Sequence, residues 1–294
     1  MMPGAMPPAA RPDVLVINSQ VVRGTVGSRV SVFALERMGH AVWLLPTILL
    51  PWNPSQGRGE RIVAPDASFD ALANDVAHAD NLANVGAVIS GYLGSAAQAE
   101  AIARLVAAVR KANPDALYLC DPVVGDEGGL YVAAETAAAV RDLLLPLADI
   151  ATPNLFELRW MTGQTIETEM QAIAAARGLG LPRVLVTSAP ALRRNSVSNL
   201  LVTMRGALAA EHGLVPNAPN GTGDLMSSLL TTNLLAGYDD ETALKRAAAG
   251  VFEMVARSVK QGARDLLISS EQASLVQPMA LVSCRRVLDA PMRA

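Results

Sequence analysis

Residues 85–120 read VGAVISGYLGSAAQAEAIARLVAAVRKANPDALYLC. Val85 to Ile89 is a short apolar run of the length expected for a buried strand. Downstream, Ile102, Leu105, Val106 and Val109 recur at three- and four-residue spacing, which places them on one face of a helix that Pro114 stops. Leu117 to Cys120 is a second short apolar run. Strand, helix and strand in this order make a βαβ unit, whose strands run parallel.

The same rhythm extends in both directions. Val14 to Ile17 reads as a first strand, Val30, Phe33, Ala34 and Met38 as a helical face that Gly39 ends, and Ala41 to Leu45 as the next strand. Further strands are expected at Asp149 to Ala151 and Arg183 to Val186, with helices near Ala133 to Leu144, Leu155 to Met161 and Thr168 to Leu179. The pattern then changes, with a hairpin from Asn199 to Met204 and Ala207 to Ala210, and long helices over Leu225 to Leu235 and Thr242 to Val259. An α/β fold with an extensive, mostly parallel sheet follows. Residues 46–65, rich in Pro and Gly, interrupt the rhythm and are expected to form a flap. Residues 1–12 read as a disordered leader and 271–294 as a C-terminal tail, leaving 13–270 as the one domain.

Composition narrows the function. A formal charge of −3 offers no basic face for nucleic acid or a membrane surface. No apolar run reaches the ~20 residues of a membrane-spanning helix. Two cysteines, Cys120 and Cys284, make no disulfide framework, and three scattered histidines make no Cys/His zinc pattern, so a reducing cytoplasm is expected.

Chemistry concentrates at element ends. Asn220-Gly221-Thr222-Gly223-Asp224 leads directly into an apolar helix. Glycines there let a ligand approach the backbone, and the free N–H groups with the helix dipole make an anion hole. Asp224 is equally explained as a first-turn carboxylate that stabilises the dipole, until its neighbours are weighed: beside an anion hole it can take a proton from a substrate hydroxyl while phosphoryl is transferred. Cys120-Asp121-Pro122-Val123-Val124-Gly125-Asp126 follows a strand, with Tyr131 shortly after; its acids can address Mg²⁺, a monovalent cation or polyphosphate, or merely form a solvated Asp-Pro turn. Thr152-Pro153-Asn154-Leu155-Phe156-Glu157 reads by itself as a helix start with a capping box. Thr187-Ser188 closes another strand, and its hydroxyls can bind phosphate or simply end it. Asn18-Ser19-Gln20 opens the loop to Gly27 and can orient a polar ring or be an ordinary connection, while Arg23 fits a surface charge as well as a phosphate ligand. No Gly-x-Gly-x-x-Gly or lysine-bearing P-loop is present, which removes the anchor for a dinucleotide dehydrogenase or P-loop NTPase. Several oxygen-rich ends converging on one crevice suit phosphoryl transfer by positioning and electrostatics.

Taken in order, Ser19-x-Val-x-x-Gly24-x-x-Gly27, Ser90-Gly91-Tyr92, Cys120-Asp121-Pro122-Val123-x-Gly125-Asp126, Thr152-Pro153-Asn154-x-x-Glu157 and Gly221-Thr222-Gly223-Asp224 resemble the blocks of the pyridoxal kinases of the ribokinase-like superfamily, from about Val14 to about Val259. The resemblance implies a three-layer α/β/α sandwich with a small flap, often paired as a homodimer. It implies Asp224 as base toward the 5′-hydroxymethyl of pyridoxal, with Gly221, Thr222 and Gly223 forming the anion hole. Ser19, Val26, Asn53 and Tyr92 would bind the vitamin. Asp121, Asp126, Tyr131, Thr152, Asn154, Glu157, Thr187, Ser188, Gly221 and Thr222 would surround ATP, with Asp121, Thr152, Glu157 and Thr187 toward Mg²⁺ and K⁺. The chain departs from the family at Gln20 (usually His), Ser28 (usually Asn) and Trp52-Asn53-Pro54 (usually Asn-His-Thr), all near the vitamin pocket and flap. Rival readings are a hydroxymethylpyrimidine kinase of the same superfamily and a non-catalytic protein that holds vitamin B6.

Overall fold

A computed structural model of the chain describes residues 11–287. Among these residues the strands are β1 (Asp13–Val21), β2 (Val42–Leu50), β3 (Ile62–Val63), β4 (Val85–Ser90), β5 (Leu117–Cys120), β6 (Gly125–Asp126), β7 (Gly129–Leu130), β8 (Ile150–Ala151), β9 (Arg183–Ala189), β10 (Ser196–Val202), β11 (Ala207–Gly213) and β12 (Ser283–Val287). The helices are α1 (Ser28–Arg37), α2 (Asp66–Ala77), α3 (Ala97–Ala112), α4 (Ala134–Ala139), α5 (Leu155–Thr162), α6 (Glu169–Gly178), α7 (Thr222–Leu235), α8 (Asp240–Lys260) and α9 (Ala273–Val276).

Ten strands form one sheet in the order β12-β11-β10-β9-β8-β5-β4-β1-β2-β3. The central run β2-β1-β4-β5-β8-β9 is parallel, and antiparallel strands extend it at both edges. Strands β6 and β7 form a separate ribbon. Alternate residues of β1 feed opposite faces of the sheet: Leu15 and Ile17 pack with Phe69, Ile102 and Leu105, whereas Val14 and Val16 pack with Val30, Ala34, Leu229 and Leu244. Both faces are therefore covered by helices, the three-layer arrangement that the resemblance implied. Each of the buried Val, Leu, Ile and Phe side chains among these contributes roughly 1.5–3 kcal/mol.

Local chemistry sets several boundaries. Helices α5 and α6 each open on a capping box, Asn154 with Glu157 and Thr168 with Gln171. The helix expected from Ala133 to Leu144 is α-helical only to Ala139, then widens into a π turn and ends in a tighter 3₁₀ turn around Pro146. No helix among the described residues is long and apolar enough to cross a membrane.

Three expectations need adjustment. β1 continues past Ile17 to Val21, with an irregular register between Asn18 and Gln20. β2 runs to Leu50, so the first five residues assigned to the flap belong to the sheet. Pro46, which cannot donate to a ladder, sits opposite Asn18 beside that irregularity, where the pairing is already broken. The tail from residue 271 contributes α9 and then β12, which pairs with β11. Of the leader, residues 1–10 lie outside the described residues, as do 288–294 of the tail. The Pro12 carbonyl oxygen lies 2.8 Å from His40 Nδ1, so the folded part begins before residue 13.

The order of the strands positions the site. From β1 the chain passes to β2 on one side and then to β4 on the other, which makes the β1/β4 boundary a topological switch point. In open α/β sheets the crevice outside the strand C-termini at such a point is where ligands bind.

Candidate active site

A cleft of about 610 Å³ opens at those strand ends. It is lined by every residue to which the sequence assigned a site role: Ser19, Val26, Asn53, Tyr92, Asp121, Asp126, Tyr131, Thr152, Asn154, Glu157, Thr187, Ser188, Gly221, Thr222, Gly223 and Asp224.

Its floor includes the start of α7. Gly221 caps the helix at φ +92°, and a Cβ there would lie 2.1 Å from the Thr25 carbonyl oxygen. Only glycine fits that approach. No side chain caps α7, so its first amides remain available toward the cleft. Asp224 does not cap its own helix. Its Oδ2 accepts from the Gly27 N–H at 2.8 Å and its Oδ1 from Asn18 Nδ2 at 2.8 Å. The alternative of a simple dipole-stabilising carboxylate is thereby weakened, because the side chain spans the cleft to the β1 loop. Burial raises the Asp224 pKa above the ordinary carboxylate value, and the Gly27 and Asn18 donors oppose that rise.

Asn18, which the sequence offered only as part of a loop, lines the cleft beside Asp224. It is buried, its Oδ1 accepts from the N–H groups of Ser19 (2.7 Å) and Tyr92 (3.0 Å), and those two donors fix its amide so that Nδ2 faces Asp224. Gly91 makes room for it, since a Cβ at Gly91 would stand 2.4 Å from Asn18 Nδ2.

The acidic end of the cleft is built from the strand ends of β5 and β8. Ser227 Oγ donates to Asp121 Oδ2 at 3.0 Å and lies 2.9 Å from Thr152 Oγ1, so Asp121, Ser227 and Thr152 form one buried network. Ser227 was also missed. It sits one helical turn beyond Asp224 in a helix that is buried on nearly all sides, so the run of hydroxyls Ser227, Ser228, Thr231 and Thr232 in an otherwise apolar helix was the available signal. Burial, then the charges of Glu157 and Asp224, push the Asp121 pKa well above the carboxylate range.

Glu157 completes the capping box and does more. Its Oε1 accepts from the N–H of Val124 at 2.9 Å and its Oε2 from the N–H of Asn154 at 2.8 Å, while Asn154 Nδ2 donates to the Gly125 carbonyl at 2.8 Å. This pair braces the Asp-Pro-Val loop, in which Val123 holds φ +37°. Burial takes the Glu157 pKa up to about 7 against the opposing backbone donors. Thr187 N–H donates to the Pro153 carbonyl at 2.9 Å, and Ser188 holds φ +53°, a strained backbone at the cleft wall. The β6–β7 ribbon carries Asp126 and leads into Tyr131 above this end.

No group of three or more His, Cys, Asp or Glu among the described residues is placed to hold a metal by itself. Mg²⁺ at a phosphate site needs only one or two carboxylates plus substrate phosphates. Asp121 fits such a role. Glu157, whose two oxygens already accept backbone N–H groups, fits one mediated by water.

The flap crosses the other end of the cleft. Asn53 Oδ1 accepts from Ser55 N–H at 3.0 Å, and Asn220 Nδ2 donates to Ser55 Oγ at 2.8 Å, fastening the flap to the residue before the anion hole. Two of the family departures touch one another: Ser28 Oγ meets Gln20 Oε1 and lies 2.8 Å from the Ser19 carbonyl oxygen. Neither lines the cleft, whereas Asn53 and Pro54 do.

Known proteins resemble this chain over most of its length. A family model described as phosphomethylpyrimidine kinase matches residues 66–268. A pyridoxal kinase of Rubrobacter xylanophilus is 37% identical over 287 residues, covering 94% of this chain and 97% of the relative. A pyridoxine/pyridoxal/pyridoxamine kinase of Bordetella bronchiseptica is 42% identical over 266 residues, covering 87% of this chain and 93% of the relative. Among solved structures, the pyridoxal kinase of Leishmania donovani in complex with ADP and pyridoxamine superposes with a TM-score of 0.87 at 25% identity, covering 94% of this chain and 100% of that one.

Proposed function

This chain belongs to the pyridoxal kinase family of the ribokinase-like superfamily, and from that membership we propose that it transfers the γ-phosphoryl of ATP to the 5′-hydroxymethyl of pyridoxal, giving pyridoxal 5′-phosphate and ADP. The observation that carries the proposal is the placement of Asp224. It stands beside an uncapped helix start with its carboxylate fixed by Asn18 and Gly27.

In this reading the vitamin lies against Ser19, Val26, Asn53 and Tyr92 with its hydroxymethyl toward Asp224. Asp224 accepts the hydroxyl proton as the oxygen bonds to the γ-phosphorus and the bond to the β–γ bridging oxygen breaks. The amides from Gly221 to Asp224 receive the charge spread over the migrating phosphoryl oxygens. A carboxyl pKa raised above its usual value makes Asp224 a stronger base. Asp126, Tyr131, Asn154 and Ser188 flank the nucleotide. Asp121, and Glu157 through water, would hold Mg²⁺, which would supply charge neutralisation for the transfer. Oxygens of Asp121, Thr152 and Thr187 offer a place for K⁺.

Replacement Asp224→Asn should leave the melting temperature close to that of the parent and lower phosphorylation by ~10²–10⁴. Turnover near that of the parent would remove Asp224 from the role of base. The family-model description also favours a second reading, a hydroxymethylpyrimidine kinase that uses the same base and anion hole. Parallel assays with pyridoxal and hydroxymethylpyrimidine separate the two. Omitting K⁺ tests the monovalent site. A homodimer in the cytoplasm is part of the same proposal, supported by the exposed apolar Leu49 and Ile62 on the β2–β3 edge and by two unpaired cysteines; light scattering tests the dimer.

A further inference from the structure

Four carboxylates line the cleft, Asp121, Asp126, Glu157 and Asp224, and among the described residues one cationic side chain faces them, Arg61. It lies immediately before β3, whose Ile62 pairs with Leu49 of β2, so the edge of the sheet fixes its backbone. Arg61 Nη2 donates to the Tyr92 Oη at 2.7 Å, and the guanidinium carbon is 6.0 Å from the Tyr92 ring centroid. No carboxylate pairs with Arg61 among the described residues, so its charge is uncompensated within the cleft wall.

Tyr92 links that charge to the base. Its backbone N–H donates to Asn18 Oδ1 at 3.0 Å, and Asn18 Nδ2 donates to Asp224 Oδ1 at 2.8 Å. Base and cation are thus connected through one tyrosine, the cation at its hydroxyl and the base, by way of Asn18, at its backbone N–H. A ring whose acceptor hydroxymethyl is held at Asp224 carries its other substituents in the same cleft as the Arg61 charge. In pyridoxal one of those substituents is an aldehyde, whose oxygen accepts a hydrogen bond; in pyridoxamine it is an aminomethyl group, cationic at neutral pH.

We propose that Arg61 is a specificity-determining residue that selects among the B6 vitamers by charge, favouring pyridoxal and opposing pyridoxamine. The proposal rests on the vitamin-kinase reading above. At a partly solvated site, like charges in one cleft change a binding ratio by about three- to thirtyfold.

The test compares the parent protein with Arg61→Gln and Arg61→Lys. Equilibrium binding of pyridoxal and of pyridoxamine is measured without ATP, and kcat/KM for each is measured with ATP and Mg²⁺. In Arg61→Gln the preference for pyridoxal should fall by about threefold or more in both measurements, and Arg61→Lys should retain it. A preference that Arg61→Gln leaves unmoved, or that Arg61→Lys loses equally, overturns the assignment. If the parent binds both vitamers but phosphorylates neither, the kinase reading fails while the binding ratio still decides the role of Arg61. A parent that phosphorylates pyridoxal with an Arg61-independent preference leaves the kinase reading intact and removes Arg61 alone; one that binds neither vitamer removes both.

Discussion

Asn18 Nδ2 donates to Asp224 Oδ1 at 2.8 Å, joining the end of the first strand to the start of the seventh helix across 206 residues of sequence. The bond orients the base from outside its own helix, and it favours the ionised carboxylate. Replacing Asn18 with Leu should therefore act in two ways. Loss of a hydrogen bond to a charged group is worth about 1.5–3 kcal/mol, which corresponds to roughly a ten- to hundredfold drop in kcat/KM. The Asp224 pKa should also rise further, so the acid limb of the kcat/KM profile moves to higher pH than in the parent. A lowered rate with an unmoved acid limb would mean that Asn18 only packs.

Gly221 meets a different constraint, the Thr25 carbonyl oxygen 2.1 Å from where a Cβ would be. Gly221→Ala must displace the α7 start or the loop after β1. The expected result is about 1–3 kcal/mol lost in stability, and a fall in kcat larger than that in vitamin affinity, because the amides that meet the migrating phosphoryl shift together. Denaturant melts alongside kcat and KM check both parts; an unchanged kcat would place the anion hole elsewhere.

The strand ends that bear these groups were legible because their chemistry is local: a Gly-rich helix start, an Asp-Pro turn and a capping box each announce themselves within a few residues. Asn18 and Ser227 were not, since each acts through a partner more than 100 residues away. The same limit applied to the fold. The central strands are apolar enough to stand out, whereas β12, Ser-Cys-Arg-Arg-Val, has little apolar content and owes its place to pairing with β11. Pro46 hid the second half of β2 because a proline normally argues against a central strand, and the broken register that tolerates it becomes visible only once β1 lies alongside.

Asp121, Glu157 and Asp224 all have raised pKa values, so the folded state holds protons that the unfolded chain releases. The sign follows directly: stability from these groups is complete below the ordinary carboxylate range and is lost as pH rises through their folded values, about 7 for Glu157. Without divalent cation, the melting temperature should decline as pH rises from about 5 to about 7, and Mg²⁺ with nucleotide should restore more at the upper end. Asp121→Asn removes one of the clustered charges and should raise the melting temperature at the upper pH by about 2–4 °C for each kcal/mol relieved, while phosphorylation falls. Calorimetry across pH checks this; a melting temperature for Asp121→Asn below the parent's throughout would show that the Asp121 network stabilises more than its charge costs.

The C-terminal segment is tied to the sheet by charge. Arg285, on β12, has its Nη1 3.2 Å from Glu169 Oε1 and its Nη2 2.9 Å from Glu211 Oε1, and both glutamates are buried. One guanidinium thus serves two carboxylates that would otherwise face each other with little water. Because Arg285 is itself partly exposed, the loss on Arg285→Ala should be about 1–3 kcal/mol, below the value for a fully buried pair. Arg285→Lys keeps the charge but not the planar fork that spans both partners, and should recover only part of the loss. Neither variant touches the cleft, so vitamin KM should stay near that of the parent at temperatures where the protein is folded. Urea melts and kinetics on the two variants check the division. If Arg285→Ala melts like the parent, β12 is held by its backbone ladder with β11 alone, and the charge triad contributes nothing to the fold.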